Sequence, residues 1–281
     1  MANHTTFRIG GPADAMVFPA TIKDVKAVRT LAKHEQIPVL TLGKGANILV
    51  ADRGVRGLVI NLTSLAGWSY ETGIFRAQAG LDVSAAAEAG RSGGFSCLEF
   101  LNAMPSTVGG AVFMNARCYG AEIADVIVEA RILDESNEER VIGYQKDDWA
   151  YKSSPFQTHD WVILEARFRT TPAEPAEVEK TMKTNSADRE AKGHFKFPCA
   201  GSVFKNDHSF GDPSGVIIDR VGLKGLRRGQ AVVSSWHANI IVNEGGATAA
   251  DLRALVTEVK KRVVQATGFA LEEEILYVGE W

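Results

Sequence analysis

The 281-residue sequence has no apolar run that approaches the length of a membrane-spanning helix, for which about 20 consecutive apolar residues are needed. Its first residues, MANHTTFRIGG, also lack the basic segment and the apolar core that are typical of a secretory signal peptide. We therefore expect a cytosolic protein that has no membrane partner.

Cysteine is scarce in this chain. Its three cysteines, Cys97, Cys118 and Cys199, are odd in number and show no C-x-x-C spacing. Such usage is typical of free thiols in a reducing compartment, and it argues against a disulfide framework or a zinc site. We therefore expect no bound metal.

The sequence also lacks a long block of one charge sign. Its 31 lysines and arginines are interspersed with 34 aspartates and glutamates, which gives a formal net charge of −3. Without a basic stripe, nucleic acid is not an expected partner. Local groups of lysines can still bind an anionic small molecule.

Several catalytic motifs are absent. There is no G-x-S-x-G nucleophile elbow, no H-E-x-x-H, no P-loop and no EF-hand loop. Ser202, in the stretch FPCAGSVFKND, therefore lacks the local context of a hydrolytic nucleophile. From its neighbours alone, this serine serves either a turn or a site.

What is present is a series of short strands punctuated by glycine, together with a few helices. Apolar spacing predicts helices over 21–36 and near 83–90. The pair Thr248 and Asp251 forms the sequence of a capping box, which predicts a long helix that ends at Gly268.

The order of these elements predicts the fold class α+β. Around Thr170 the sequence becomes polar and charged after two prolines, as is typical of a linker helix or a boundary. We expect one domain over 1–170 and a smaller one over 171–281.

A first glycine cluster lies in LGKGANILV, and its members are Gly43, Lys44, Gly45, Ala46 and Asn47. A dinucleotide-binding fold is excluded, because Ile48 replaces the last glycine of G-x-G-x-x-G and a strand follows where a helix is needed. The free backbone N–H groups of the turn could bind an anion, but an ordinary β-turn is the better interpretation of this segment alone.

A second small-residue cluster, PSTVGGAVFMNARCYG, occupies 105–120. Glycine weakens regular structure wherever no close approach requires it, so one turn does not explain this many small residues. Two such backbone cradles indicate an extended cofactor that contains phosphate. The alternative is a glycine-rich sheet edge. The candidate residues are Ser106, Thr107, Gly109, Gly110, Asn115 and Gly120.

The second half of the chain carries a basic group and an acidic run. Lys224, Arg227, Arg228, Gln230 and His237 suit a diphosphate or a carboxylate. The alternative is a solvated turn at Arg227 and Arg228 with His237 in the core, which is the usual place of a lone histidine. The acidic run LEEEIL is ordinarily a solvated face, but in a strand the second of its three glutamates points away from the other two. One of them could therefore face a cleft.

Taken in order, eight segments resemble the successive motifs of the UDP-N-acetylenolpyruvoylglucosamine reductase (MurB) family. They are HTTFRIGGPADAMVFP, LGKGANILVADRGVRGLVINL, AMPSTVGGAVFMNARCYGAEIADVI, YKSSPF, CAGSVFKND, GLKG, GQAVVSSWHANIIVN and LEEEI. The resemblance covers nearly the whole chain. The short distance between YKSSPF and CAGSVFKND resembles the type II branch of this family.

The resemblance implies an FAD-binding domain of the PCMH or vanillyl-alcohol-oxidase type over 1–170, whose flavin lies in the two glycine clusters. It implies a substrate-binding domain over 171–281, with the last strand (about 271–281) returning to the active-site cleft. The implied reaction is the NADPH-dependent reduction of UDP-N-acetylglucosamine enolpyruvate to UDP-N-acetylmuramate, a step of peptidoglycan synthesis. Expected partners are the UDP-sugar and NADPH, and the expected state is a monomer or a weak homo-oligomer.

The same resemblance implies catalytic roles. Ser202 matches the proton-donating serine of the family, and Glu274 matches the glutamate of its final motif. Lys152 stands where the family has an arginine that holds the substrate carboxylate, so the charge is kept but the planar fork is lost. The implied substrate-binding residues are Lys196, Lys205, Asn206, Lys224, His237 and Arg189.

The flavin loops also depart from the family pattern. Ser106 and Arg117 replace glycines, Cys118 replaces an alanine, and Ala46 replaces a serine. Two other functions stay open. One is an FAD-dependent oxidoreductase of the same fold that acts on a small hydroxy acid, and the other is a catalytically silent UDP-sugar or flavin binder.

Overall fold

The computed structural model describes all 281 residues. Packing divides them into two compact units. The larger unit contains Ala15–Lys44 and Gly57–Asp188, and the smaller unit contains Met1–Asp14, Gly45–Arg56 and Arg189–Trp281. The chain therefore passes from one unit to the other four times.

The chain contains seven α-helices and seventeen strands, besides short 3-10 turns. The helices are α1 (Ile22–His34), α2 (Val83–Gly93), α3 (Val108–Phe113), α4 (Ile123–Val126), α5 (Pro175–Ala191), α6 (Ser214–Arg220) and α7 (Ala249–Thr267). The strands of the larger unit and of its borders are β1 (Ala13–Val17), β2 (Val39–Leu42), β4 (Val55–Asn61), β5 (Trp68–Glu71), β6 (Ile74–Gln78), β7 (Phe95–Ser96), β8 (Arg117–Cys118), β9 (Ala121–Glu122), β10 (Ile127–Leu133), β11 (Glu139–Gly143), β12 (Val162–Arg169) and β13 (Thr171–Pro172). The remaining strands are β3 (Ile48–Val50), β14 (Arg227–Arg228), β15 (Ala231–Val233), β16 (Ile241–Asn243) and β17 (Leu276–Val278).

The larger unit is built on a five-stranded sheet with the order β11-β10-β12-β6-β5. All four strand pairs are antiparallel. Along β6, alternate residues such as Phe75 are buried, and the facing Phe168 of β12 belongs to the same core cluster with α2 and α3. This alternation is what a sheet with one buried face requires.

Helix α1 begins where the sequence predicts, because Thr21 and Asp24 form a capping box. The apolar spacing of Ile22, Val25, Val28 and Leu31 predicts one buried side, and the structure differs from it in part. Leu31 is 61% exposed, whereas Arg29 is buried. The Arg29 guanidinium donates to the carbonyl oxygens of Leu133 and Asp134 at 3.2 and 2.6 Å. A buried cation is tolerated there because its donors are satisfied.

The two strands that flank the first glycine cluster join different sheets. Strand β2 pairs in parallel with β4, whereas β3 pairs in parallel with the last strand, β17. A strand therefore follows the first glycine cluster, as the sequence predicts. The chain passes between the units inside this turn, between Lys44 and Gly45.

The smaller unit is packed around α7. Its apolar residues Leu252, Leu255, Val256 and Val259 are buried against β14-β15-β16 and α6. The helix has the predicted capping box of Thr248 and Asp251, and it ends at Gly268, whose φ of +77° is left-handed. The capping residues and the apolar spacing therefore predicted this helix correctly.

The overall class is α+β, as the sequence indicates. The two units are interleaved along the chain and do not follow a single contiguous boundary near residue 170. The functional division into 1–170 and 171–281 remains a prediction. No helix is both long and apolar enough to span a membrane.

Candidate functional site

In the larger unit, the two glycine clusters meet at Gly43 and Thr107. A Cβ atom placed on Gly43 would overlap the hydroxyl oxygen of Thr107, so only glycine allows this approach. Thr107 is the N-cap of α3 and is buried. Residues 64 positions apart in the sequence therefore form one small-residue surface.

Asp82 connects this surface to α2. Its Oδ1 accepts from the backbone N–H groups of Ser84 and Ala85 at 2.8 and 3.1 Å, which caps the helix. Its Oδ2 pairs with the ammonium of Lys44, and its backbone forms a bridge with Thr107. Lys44, predicted as a cofactor ligand, is thus held beside the cluster by an ion pair. The sequence interpretation missed Asp82, although an aspartate directly before an alanine-rich helix is a recognisable N-cap signal.

The adjacent glycines of α3 have different surroundings. Gly109 is buried, and a Cβ placed there would lie 2.7 Å from the Ala79 Cβ. Gly110 is partly exposed, and a Cβ placed there would meet only the Ser106 and Thr107 hydroxyl oxygens, at 3.3 and 3.5 Å. Gly109 therefore serves packing, whereas Gly110 leaves backbone open beside Ser106.

These surroundings predict opposite effects of the same substitution. Gly109→Ala should lower the free energy of unfolding by about 1–3 kcal/mol, because the new methyl group overpacks Ala79. Gly110→Ala should leave stability nearly unchanged, since alanine is favoured over glycine in helices by up to about 1 kcal/mol. If Gly110 faces the flavin, Gly110→Ala should instead lower the ratio of flavin to protein. Thermal unfolding and flavin content measure the two effects. Full flavin content in Gly110→Ala would show that the cofactor does not approach this backbone.

The rest of the second cluster shapes the chain. Asn115 is fully buried with a left-handed φ of +41°. Its Nδ2 donates to the Ala150 carbonyl at 2.9 Å, and its Oδ1 accepts from Ala124 N–H at 3.0 Å. Gly120 has a φ of +83° and lies in the two-residue turn between β8 and β9. These two predicted cofactor residues therefore have clear structural tasks.

Lys152 occupies an unusual backbone conformation. Ala150 and Ser153 close a four-residue turn through hydrogen bonds of 3.2 and 3.0 Å. Lys152 stands third in this turn with a φ of +58°, where glycine or asparagine is usual. Two side chains fix the turn. Asn115 donates to the Ala150 carbonyl. The Nε2 of Gln157 donates to the Lys152 and Phe113 carbonyls at 3.1 and 2.7 Å. Gln157 is a second residue that the sequence interpretation missed, and no local pattern indicates it.

The remaining part of the first cluster belongs to the smaller unit. The Gly45 carbonyl accepts from the Thr6 N–H at 3.2 Å, and the Ala46 carbonyl accepts from the Thr6 hydroxyl at 3.4 Å. Asn47 donates from Nδ2 to the Glu274 carbonyl at 2.8 Å. A predicted cofactor residue thus fixes the backbone of a predicted catalytic one.

Ser202 and Glu274 lie on paired segments of the smaller unit. The Glu274 N–H donates to the Val203 carbonyl at 2.7 Å, and the Lys205 N–H donates to the Glu272 carbonyl at 2.9 Å. On the other side, Ser202 bridges Ile240. The Ser202 side chain is half-buried and makes no hydrogen bond with another residue. Its backbone is therefore fixed while its hydroxyl stays available.

Two of the predicted substrate lysines are in ion pairs with carboxylates. Lys205 lies 2.6 Å from Glu272, and Lys224 lies 2.7 Å from Asp219. Exposed pairs of this kind contribute only about 0–1 kcal/mol, so a phosphate can replace the carboxylate. Lys196 instead lies over the Trp236 ring, with Nζ 4.7 Å from the ring centre.

The other predicted substrate residues are buried or make hydrogen bonds within the chain. Asn206 accepts from Ser214 N–H at 2.9 Å, and Arg189 is buried near the end of α5. The Nδ1 of His237 accepts from the Asn239 N–H at 3.3 Å. An accepting Nδ1 carries no proton, which favours the neutral imidazole. Burial lowers the pKa of His237, with smaller contributions from the positive charges of Lys192 and Lys224.

Family models match both halves of the chain. Residues 13–142 match an FAD binding domain, and residues 193–278 match the C-terminal domain of UDP-N-acetylenolpyruvoylglucosamine reductase. A curated reductase of this name from Rubrobacter xylanophilus is 40% identical, and the match covers 100% of this chain and 94% of that protein. The chain belongs to the UDP-N-acetylenolpyruvoylglucosamine reductase family.

Further relatives agree. The reductase of Treponema denticola is 37% identical over 99% of this chain and 91% of its own length. The crystal structure of UDP-N-acetylenolpyruvylglucosamine reductase (MurB) from Thermus caldophilus superposes with a TM-score of 0.81 at 30% identity, covering 99% of this chain and 96% of that one. The fold and the family expected from the motifs are confirmed.

The residues of the larger unit fit the flavin that an FAD-binding domain of this reductase family requires. The contact between Gly43 and Thr107 and the open backbone at Gly110 form the kind of surface that an extended, phosphate-bearing group needs. Gly43, Thr107 and Gly110 all lie within the range of the FAD-binding match.

The lowered pKa of His237 predicts how stability depends on pH in this reductase. Below the ordinary value of 6.5 the unfolded chain binds a proton on this histidine that the folded chain does not. Stability should therefore fall as pH decreases from 6.5 towards the folded pKa. Denaturant unfolding between pH 7.5 and pH 5 should show a smaller loss in His237→Gln. Equal slopes in both proteins would contradict a buried neutral imidazole.

Proposed function

We propose that this chain catalyses the NADPH-dependent reduction of UDP-N-acetylglucosamine enolpyruvate to UDP-N-acetylmuramate, in the cytoplasm, as a step of peptidoglycan synthesis. Family membership over the full chain supports the activity. The observation that carries the chemistry is the pairing of the Ser202 and Glu274 segments, which keeps a hydroxyl and a carboxylate on neighbouring backbone positions.

The reaction adds a hydride and a proton to a carbon–carbon double bond. When bound, FAD supplies the hydride that it has received from NADPH. Ser202 donates the proton as general acid. A hydroxyl is intrinsically a poor acid, so Ser202 needs help. Glu274 assists by holding the reaction proton and by controlling the negative charge that forms beside the substrate carboxylate.

Lysines and polar groups of the smaller unit hold the UDP moiety. Lys196, Lys205 and Lys224 provide compact charges for the diphosphate. Asn206, His237 and Arg189 complete the set of substrate residues. The charge on Lys152 holds the carboxylate of the enolpyruvyl group. Functionally, residues 1–170 form the flavin domain and 171–281 the substrate domain, with the last strand at the active site.

A two-part assay tests this proposal. The purified, flavin-loaded protein should oxidise NADPH rapidly only when UDP-N-acetylglucosamine enolpyruvate is present. Turnover with a small hydroxy acid and no UDP-sugar would indicate the other flavoenzyme. A yellow protein that binds the UDP-sugar without turnover would be a silent binder.

A further inference from the structure

Two cations lie against the same aromatic ring of the larger unit. The Arg117 guanidinium carbon is 5.9 Å from the centre of the Tyr151 ring, and the Lys152 Nζ is 6.0 Å from the same centre. Lys152 is the residue that has lost the planar fork of an arginine. Arg117 stands where the second glycine cluster of the family has a glycine.

The backbone joins the two loops that carry these cations. Asn115, two residues before Arg117, donates to the carbonyl of Ala150, two residues before Lys152, at 2.9 Å. Ser154 and Gln157 both donate to the Phe113 carbonyl at 2.7 Å, so the second loop is also fixed from its far side. The positions of Arg117 and Lys152 relative to Tyr151 are therefore set by the fold.

The ion pair that Arg117 makes within the chain is weak. Its nearest carboxylate, on Glu122, lies 4.0 Å away, and the Arg117 side chain is 43% exposed. A pair of this length and exposure contributes little, so a substrate carboxylate can take over the guanidinium. Two positive charges held near one ring also repel each other, which an arriving anion relieves.

We propose that Arg117 is a second substrate-binding cation, which supplies the bidentate guanidinium for the enolpyruvyl carboxylate while Lys152 supplies a point charge. In this chain the guanidinium has moved from the Lys152 turn to the neighbouring loop. The inference rests on the proposed function, because that function provides the carboxylate.

Calorimetric titration of the flavin-loaded protein tests this assignment with two ligands. UDP-N-acetylmuramate carries the carboxylate, and UDP-N-acetylglucosamine does not. Arg117→Gln should weaken binding of the first by about 10- to 100-fold, the usual effect of losing a charged hydrogen-bond pair, and leave the second unchanged. Arg117→Lys should lie between the two, because it keeps the charge and loses the fork.

The decisive variant returns the guanidinium to position 152. The double variant Arg117→Gln, Lys152→Arg should regain binding of UDP-N-acetylmuramate to within about threefold of the parent, as expected of residues that share one partner. Arg91→Gln is the matched control, since this partly exposed arginine of the same unit makes its side-chain hydrogen bonds to Glu88. Equal losses for both ligands, or no rescue by Lys152→Arg, would overturn the assignment. A parent protein that binds neither ligand would instead overturn the proposed function, and this inference with it.

Discussion

Ser202→Ala should slow the reduction of UDP-N-acetylglucosamine enolpyruvate by about 10²- to 10⁴-fold, the usual contribution of a positioned general acid. Bleaching of the flavin absorbance by NADPH should continue at the parent rate, because this half of the reaction needs no proton from Ser202. Rapid mixing experiments that follow the flavin absorbance separate the two halves. The expected signature is a flavin that is bleached normally and recovers slowly when substrate is added.

The protein should fold normally in this variant. The Ser202 hydroxyl makes no hydrogen bond within the chain, and the segment is fixed by backbone contacts of Val203 with Asn239 and Glu274. Ser209→Ala is the matched control, since it removes an exposed hydroxyl seven residues later that hydrogen-bonds to Asp207. Equal slowing of both half-reactions by Ser202→Ala would show that the serine does not donate the proton.

Local signals explain what the sequence could predict. The capping boxes of Thr21 and Thr248 and the left-handed Gly268 depend on a few neighbouring residues, so they are legible in the sequence. The rejection of a dinucleotide fold at Gly43 rests equally on a local fact, the strand that begins at Ile48. Order and spacing of the motifs then gave the family.

Long-range contacts explain what the sequence could not predict. Arg29 is buried because three carbonyl groups more than 100 residues away receive its guanidinium. The first glycine cluster reads as one turn, but Lys44 packs with Asp82 in one unit and Asn47 packs with Glu274 in the other. Gln157 also depends on a distant partner, because its Nε2 donates to the Phe113 carbonyl, 44 residues away in the sequence. Periodicity and propensity contain no information about such partners.

Glu274→Gln should also reduce turnover with the enolpyruvyl substrate by about 10²- to 10⁴-fold, because an amide can neither accept nor donate the reaction proton. The backbone contacts of this residue, with Val203 and with Asn47, do not involve its carboxylate. Because glutamine has the same shape as glutamate and these backbone contacts are unchanged, the variant should fold and keep its flavin. The measurement is steady-state NADPH oxidation at saturating substrate, together with the flavin content and the thermal unfolding midpoint.

The two preceding glutamates provide controls in the same segment. Glu272 pairs with Lys205 at 2.6 Å, and Glu273 pairs with Lys260 at 2.7 Å. Glu273→Gln removes the ion pair with Lys260 and alters the hydrogen bond with Tyr277. It should therefore cost about 1–2 kcal/mol of stability and leave turnover unchanged. Glu272→Gln should release Lys205 for the substrate diphosphate, so it should lower KM or leave it unchanged. If all three variants lose the same activity, the acidic run acts as a whole on folding, and the specific role of Glu274 is refuted. If only Glu274→Gln loses turnover while its unfolding midpoint is retained, the carboxylate acts in the chemistry, because the three residues share one segment and differ only in what their side chains contact.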